Sequence, residues 1–507
     1  MVIAYLPYRI SRVYRNQLPA GSRSTLTLPF RPSLNAWVRR TCDASGQLLG
    51  GTFLMAGAVG GVPQVWAQQN GGQPLAATVD SMASLATRVD ELDQQIRVLN
   101  RIGELAADSA AAAAKDRQWA TANGKDGFSL KSADGRYTLR FRGYFQGDGR
   151  FYANESVPAV DNLLIRRARP IIEATVGRYF EFRLMPDFGG TSPTIFDAYW
   201  DGKFAPEFTV RAGKFKPPIG LERLQSATDI PFAERGLPTN LVPSRDIGLQ
   251  VAGDISEGLF AYQIGVFNGV PDLANGGDDV SNAKDFAGRV FVQPLKIGSF
   301  RPLGLGIAAS TGFERGSTTA SGLPSYRTPG QQTVFRYNSS ATTPANNVYA
   351  NGRRTRLSPQ GYFYTGPFGL LGEYVISKNE VTRADATAEL EHSAWQAEGS
   401  FFLTGEKNSF RSPTPKRPFD PRERGFGAVE LVARYGELAF DEASFPLYAT
   451  LTSSVQKEKA WVVGVNWHFT RAVKIAVNYE RTTFTGGAPT GDREPENAVI
   501  TRFQTSF

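Results

Sequence analysis

The sequence predicts an all-β protein, a transmembrane antiparallel β-barrel with an N-terminal helical coiled-coil segment. Four alternating stretches and one heptad pattern predict it. The last eleven residues place Val499, Thr501, Phe503, Thr505 and Phe507 on one face of a strand, and Arg502, Gln504 and Ser506 on the other, as a two-residue period requires. Just upstream, Trp461, Val463, Val465, Trp467 and Phe469 alternate with Val462, Gly464, Asn466 and His468. After a short turn, Val473, Ile475, Val477 and Tyr479 alternate with Lys474, Ala476, Asn478 and Glu480. A soluble sandwich also alternates, but its dry core would not accept Lys, Asn and Glu on the inward face, whereas a water-filled bore would. Near the start of the β-region, Arg136 to Gln146 sets Tyr137, Leu139, Phe141 and Phe145 against Thr138, Arg140, Arg142 and Tyr144.

Bulk composition agrees. Aromatics at 12% and 52 glycines among 507 residues suit strands, turns and interfacial rings. A mean hydropathy of −0.28 excludes a helical transporter, and no run of 18 apolar residues follows residue 67, so any crossing is made by strands. Of the net charge of +8, residues 1–67 carry +6, with seven Arg and one Asp. The rest is nearly balanced, which argues against nucleic acid as a partner. Arg outnumbers Lys 42 to 14, favouring planar, bidentate anion contacts.

From the N-terminus, the apolar stretch Leu48 to Val62, ending near Ala67, reads as the core of a signal peptide with an extended leader (1–67). It follows the one cysteine, Cys42, so a lipoprotein anchor is not expected. Residues 68–127 form the second domain, a periplasmic helix and linker. Leu75, Met82, Val89 and Ile96 occupy a positions and Leu85, Leu92 and Leu99 d positions of a heptad seam. The alternative is a single amphipathic helix resting on another surface. Branched a positions with Leu at d favour two strands. Periodicity switches from helical to alternating at Phe128, so 128–507 is read as the barrel.

Within it, Leu164–Gly190 (LIRRARPIIEATVGRYFEFRLMPDFGG), Phe196-Asp197-Ala198, Arg211–Gly236 (RAGKFKPPIGLERLQSATDIPFAERG), Phe286–Val292 (FAGRVFV) and Val463–Tyr479 (VGVNWHFTRAVKIAVNY) resemble the phosphate-selective porin O/P family. The resemblance implies a 16-stranded, trimeric outer-membrane barrel with an inward-folded loop narrowing an anion-selective channel. It also implies an anion site at Arg166, Arg167, Asp197, Arg223 and Ser226. Tyr144, Ala227 and Thr228 stand where the family pattern leads one to expect an arginine, a serine and a lysine, and this puts strict phosphate selectivity in question.

The residues themselves are compatible with that site. Arg166 and Arg167 are adjacent, so on a regular strand they point oppositely; one can line the lumen, while the other needs a bulge, a loop end or the headgroup layer. Snorkelling at the membrane edge is the competing reading. Lys216 to Arg245 carries five prolines and cannot be a central strand. It is a candidate constriction loop, in which Arg223 either meets the ion or forms a salt bridge to Glu222 or Glu234. Arg140 and Arg142 join the pore-lining set, and Asp197 is expected to hold arginines in place. His392 and His468 are read as structural, so neither an enzyme nor a metal or cofactor site is expected. The function expected is an outer-membrane porin passing small anions, phosphate or polyphosphate. The alternatives are a weakly selective porin and a barrel-anchored tether that contacts the periplasm or peptidoglycan through its coiled coil.

Overall fold

The computed structural model describes residues 76–116, 120–123, 127–132, 134–153, 159–277, 282–297 and 301–507. The signal-peptide reading, Cys42 and Leu75 lie outside them. The described residues fall into two units that divide between Arg88 and Val89. A helix spans Ala76–Asp116, and no helix among the described residues is long and apolar enough to cross a membrane.

Sixteen antiparallel strands follow: β1 Tyr137–Tyr152, β2 Asn162–Val176, β3 Phe180–Asp187, β4 Thr194–Ala205, β5 Phe208–Phe215, β6 Asp246–Ile255, β7 Phe260–Phe267, β8 Asp285–Val292, β9 Leu303–Arg315, β10 Tyr349–Thr365, β11 Phe368–Arg383, β12 Ala386–Phe402, β13 Ala428–Ala439, β14 Val455–His468, β15 Val473–Ala488 and β16 Glu496–Ser506. Each pairs with its sequence neighbour, and β16 closes the cylinder on β1 with Ser506 opposite Tyr144. No barrel strand is left with an open edge. The short strand Gly127–Lys131 pairs with the N-terminal end of β1, from Phe128 opposite Phe141 to Lys131 opposite Thr138. The last residue seals this seam. Phe507 exchanges backbone hydrogen bonds with Gly143 at 3.0 and 3.1 Å, and its ring lies 6.0 Å from that of Phe141. A Cβ at Gly143 would meet that ring at 3.0 Å, so glycine permits the close approach.

The expected alternation holds in β14 and β15, where Trp467 pairs with Ile475 and Val463 with Tyr479 on the outer wall. Phe180, Trp200, Trp395, Tyr435, Trp461 and Phe503 are exposed outward, as a lipid-facing wall requires. The inward face differs from a simple wet bore. Lys474 donates to the carbonyl of Ile230 at 3.0 Å, Asn478 accepts from the Ala233 amide at 2.7 Å, and Asn466 donates to the Pro231 carbonyl at 2.8 Å. These polar side chains satisfy the backbone of the proline-rich loop 216–245, which is folded inside the barrel.

A hydrophobic cluster fills one side of the interior. Leu237, Leu241 and Val242 of that loop pack with Tyr326 and Phe335 of connection 316–348, with Phe440 and Tyr448, and with Val375, Leu390 and Phe484 of the wall. Phe335 stacks on Phe440 at 4.2 Å. Short connections are not confined to the end where the chain terminates. Residues 403–427, at that same end, fold inward, and Phe410 stacks on Tyr362 at 5.5 Å.

Candidate functional site

The other side of the interior holds a cavity of about 1500 Å³. Thirteen arginines and Lys216 line it, against Asp197, Asp229 and Asp272. Such an excess of cations at close quarters sets the sign of the local field.

The arginine pair enters the interior because β2 is irregular. Gln146 of β1 opposes Arg167 and Gly147 opposes Ile165, so Arg166 is the extra residue of a β-bulge. Ile165 is exposed on the outer wall and Arg167 is buried within, and the bulge lets both guanidinium groups reach the same carboxylate. Glu234 of the inner loop receives Arg166 at 2.5 Å, Arg150 at 2.9 Å, Arg502 at 3.5 Å and Arg167 at 3.8 Å. Burial alone would raise the Glu234 carboxyl, but Arg166, Arg167 and Arg502 outweigh it and hold the group well below the usual carboxylate range. The loop is thereby clamped to β1, β2 and β16.

Asp197 on β4 is buried, accepting from Arg245 at 2.6 Å with Arg183 at 3.3 Å. Arg223, on the short helix Leu221–Leu224, donates to the Thr239 carbonyl at 2.7 Å. Neither expected salt bridge forms: Glu222 pairs with Arg434 at 3.4 Å, and Glu234 with the four arginines above. Arg223 Nε is buried with no hydrogen-bond partner among the described residues. Beside it, Arg235 donates to the carbonyls of Glu222 and Gln225 at 3.2 and 2.8 Å, and Lys216 to those of Leu224 and Gln225 at 3.2 and 2.8 Å. Burial lowers the pKa of all three, and each is lowered further by neighbouring arginines, Arg245 among them. Ser226 is exposed to the cavity, its hydroxyl 2.9 Å from that of Thr228.

Arg142, Arg166, Arg167, Asp197, Arg223 and Ser226 thus share one cavity. Arg140 stands apart, exposed and 3.7 Å from Glu173. Sequence reasoning missed Arg169, Arg183, Arg211, Arg245 and Arg289. Arg169 was accessible to it, since it lies two residues after Arg167 and so shares its face. It bonds Asp187 and the Tyr144 hydroxyl, each at 2.7 Å, and stacks 3.8 Å from Phe196. A guanidinium therefore stands beside Tyr144. The histidines are packed: His468 bonds Glu430 at 3.0 Å, and His392 meets the Tyr337 hydroxyl at 2.9 Å among aromatic rings.

The sequence profile of phosphate-selective porin O and P matches residues 138–507. Porin O of Pseudomonas aeruginosa is 24% identical over 420 residues, covering 76% of this chain and 91% of that protein. Among solved structures, the outer membrane channel DcaP of Acinetobacter baumannii aligns with a TM-score of 0.49 at 10% identity, over 75% of this chain and 99% of its own. OmpT of Vibrio cholerae aligns with a TM-score of 0.47 at 12% identity, over 73% and 98%. With the profile covering the whole barrel, this chain belongs to the phosphate-selective porin O and P family and is a Gram-negative outer-membrane porin.

Proposed function

We propose that the barrel passes small anions, phosphate or polyphosphate among them, through a constriction lined by Arg142, Arg166, Arg167, Arg223 and Ser226, with Asp197 as the structural carboxylate. The carrying observation is the trio Lys216, Arg223 and Arg235, whose polar partners are backbone carbonyls rather than carboxylates. Their charge is left to a passing ion. An anion entering the narrow bore sheds water, and guanidinium groups replace those contacts. A unit pair at about 4 Å is worth roughly 4 kcal/mol at an effective dielectric of 20, enough to offset partial desolvation.

Conduction requires several modest sites rather than one deep trap. The paired arginines provide them: Asp197 takes part of the charge of Arg245 and Arg183, and Asp201 that of Arg211 at 2.7 Å. Arg140, exposed beside Glu173, belongs to the mouth. Residues 1–67 direct export, and the porin works as a homotrimer embedded in outer-membrane lipid. Tyr144, Ala227 and Thr228 favour a second reading, a general anion pore with weak preference for phosphate. Planar-bilayer recording separates the two: block of chloride current by micromolar phosphate supports the first, and additive currents the second. Cation preference refutes both.

A further inference from the structure

We propose that the helix Ala76–Asp116 packs against the same helix of other copies of this chain, parallel and in register. Met82, Leu85, Val89, Leu92, Ile96 and Leu99 form its a/d stripe and are 54–71% exposed in the single chain. An apolar stripe of that length needs a cover. The flanking e and g positions say which cover. At g stand Arg88, Gln95 and Ile102; at e stand Ala86, Asp93 and Asn100.

Parallel, in-register helices bring each g residue beside the e residue five positions on in the neighbour. That pairs Arg88 with the neighbour's Asp93 and Gln95 with its Asn100, one ion pair and one amide contact. Antiparallel helices pair g with g and e with e. The g set holds no acid and the e set no base, so that arrangement gains no charge pair. Asp93 is ready for a second partner: both contacts from Arg97 end on its Oδ2, at 3.2 and 2.5 Å, leaving Oδ1 open. Arg88 is exposed and forms no ion pair among the described residues. Beyond Leu99 the seam continues through Gly103, Ala106, Ala110 and Ala113, small residues that allow close approach of helix backbones.

Single cysteines test this in the full-length Cys42→Ser protein, assembled in outer-membrane vesicles and mildly oxidised. Leu85→Cys, Leu92→Cys and Leu99→Cys, all at d, are each expected to give chain pairs on non-reducing gels. Thr87→Cys, Gln94→Cys and Arg101→Cys, on the outer face, are expected to give none. Arg88→Glu or Asp93→Arg should abolish most of the linkage at Leu92→Cys, and the two together should restore it. Linkage at only one d position would mean antiparallel pairing, and equal linkage at d and outer positions random collision. Absence of linkage at every d position would mean that another partner covers the stripe. Each of these overturns the proposal, as does a double charge swap that fails to restore linkage.

Discussion

Arg166 and Arg167 stand side by side in the chain, and a regular strand would aim them to opposite sides of the wall. One extra residue in β2 removes that constraint, and Glu234 collects both. In the function proposed above, such clamped arginines shape the bore, whereas Arg223 and Arg235, bonded to backbone carbonyls, keep their charge for the ion. Replacing Arg223 with Ala and Arg235 with Gln should weaken phosphate block by roughly tenfold, about 1.4 kcal/mol, measured as a shift in the blocking concentration. Lys216 adds a pH signature. Burial, with Arg245 and Arg235 nearby, depresses its pKa, so its proton leaves below the ordinary lysine range, about 10.4. Chloride-over-potassium preference should therefore fall as pH rises through that depressed value. Lys216→Gln should abolish that step and lower the preference on its acid side.

At the scale of elements, the inner loop is the part the barrel is built to hold. Glu234 carries its heaviest charge load, and Glu234→Gln leaves Arg150, Arg166, Arg167 and Arg502 without their shared carboxylate. Breaking a buried pair costs roughly 3 kcal/mol or more. Larger, noisier single-channel conductance and earlier thermal unfolding are the expected outcome. Strands were legible in the sequence because side chains alternate strictly: β14 and β15 lie where Trp461 to Tyr479 placed them. What their inner faces meet was not legible. Lys474 and Asn478 look the same in sequence whether they meet water or the backbone of a distant loop. The loop itself was readable from its prolines. The inward fold of residues 403–427 was not, because their closures, Ser412 to Asp229 at 3.1 Å and to Thr228 at 2.8 Å, join chain segments far apart in sequence.

At the scale of the whole barrel, a hydrophobic plug fills one side of the interior and an arginine-lined cavity the other. The two sides should respond separately to substitution. Phe335→Ala empties part of the plug and should cost about 3–5 kcal/mol, seen as a lower unfolding temperature, while reversal potentials stay at the parent value. Arg183 and Arg211 escaped the sequence reading because only closure of the cylinder brings β3 and β5 around the space that β2 also lines.

In the proposed function, buried guanidinium groups, rather than a diffuse surface field, choose the ion. A surface field would be screened within a Debye length of about 3 Å at 1 M salt, whereas buried charges are screened much less. The direct measurement is the reversal potential of the purified porin in planar bilayers across a KCl gradient, repeated from dilute to molar salt. Chloride preference that persists at molar salt and falls in the Arg223→Ala, Arg235→Gln double variant is the predicted result. Potassium preference, or chloride preference that vanishes at molar salt and is indifferent to those substitutions, would contradict it.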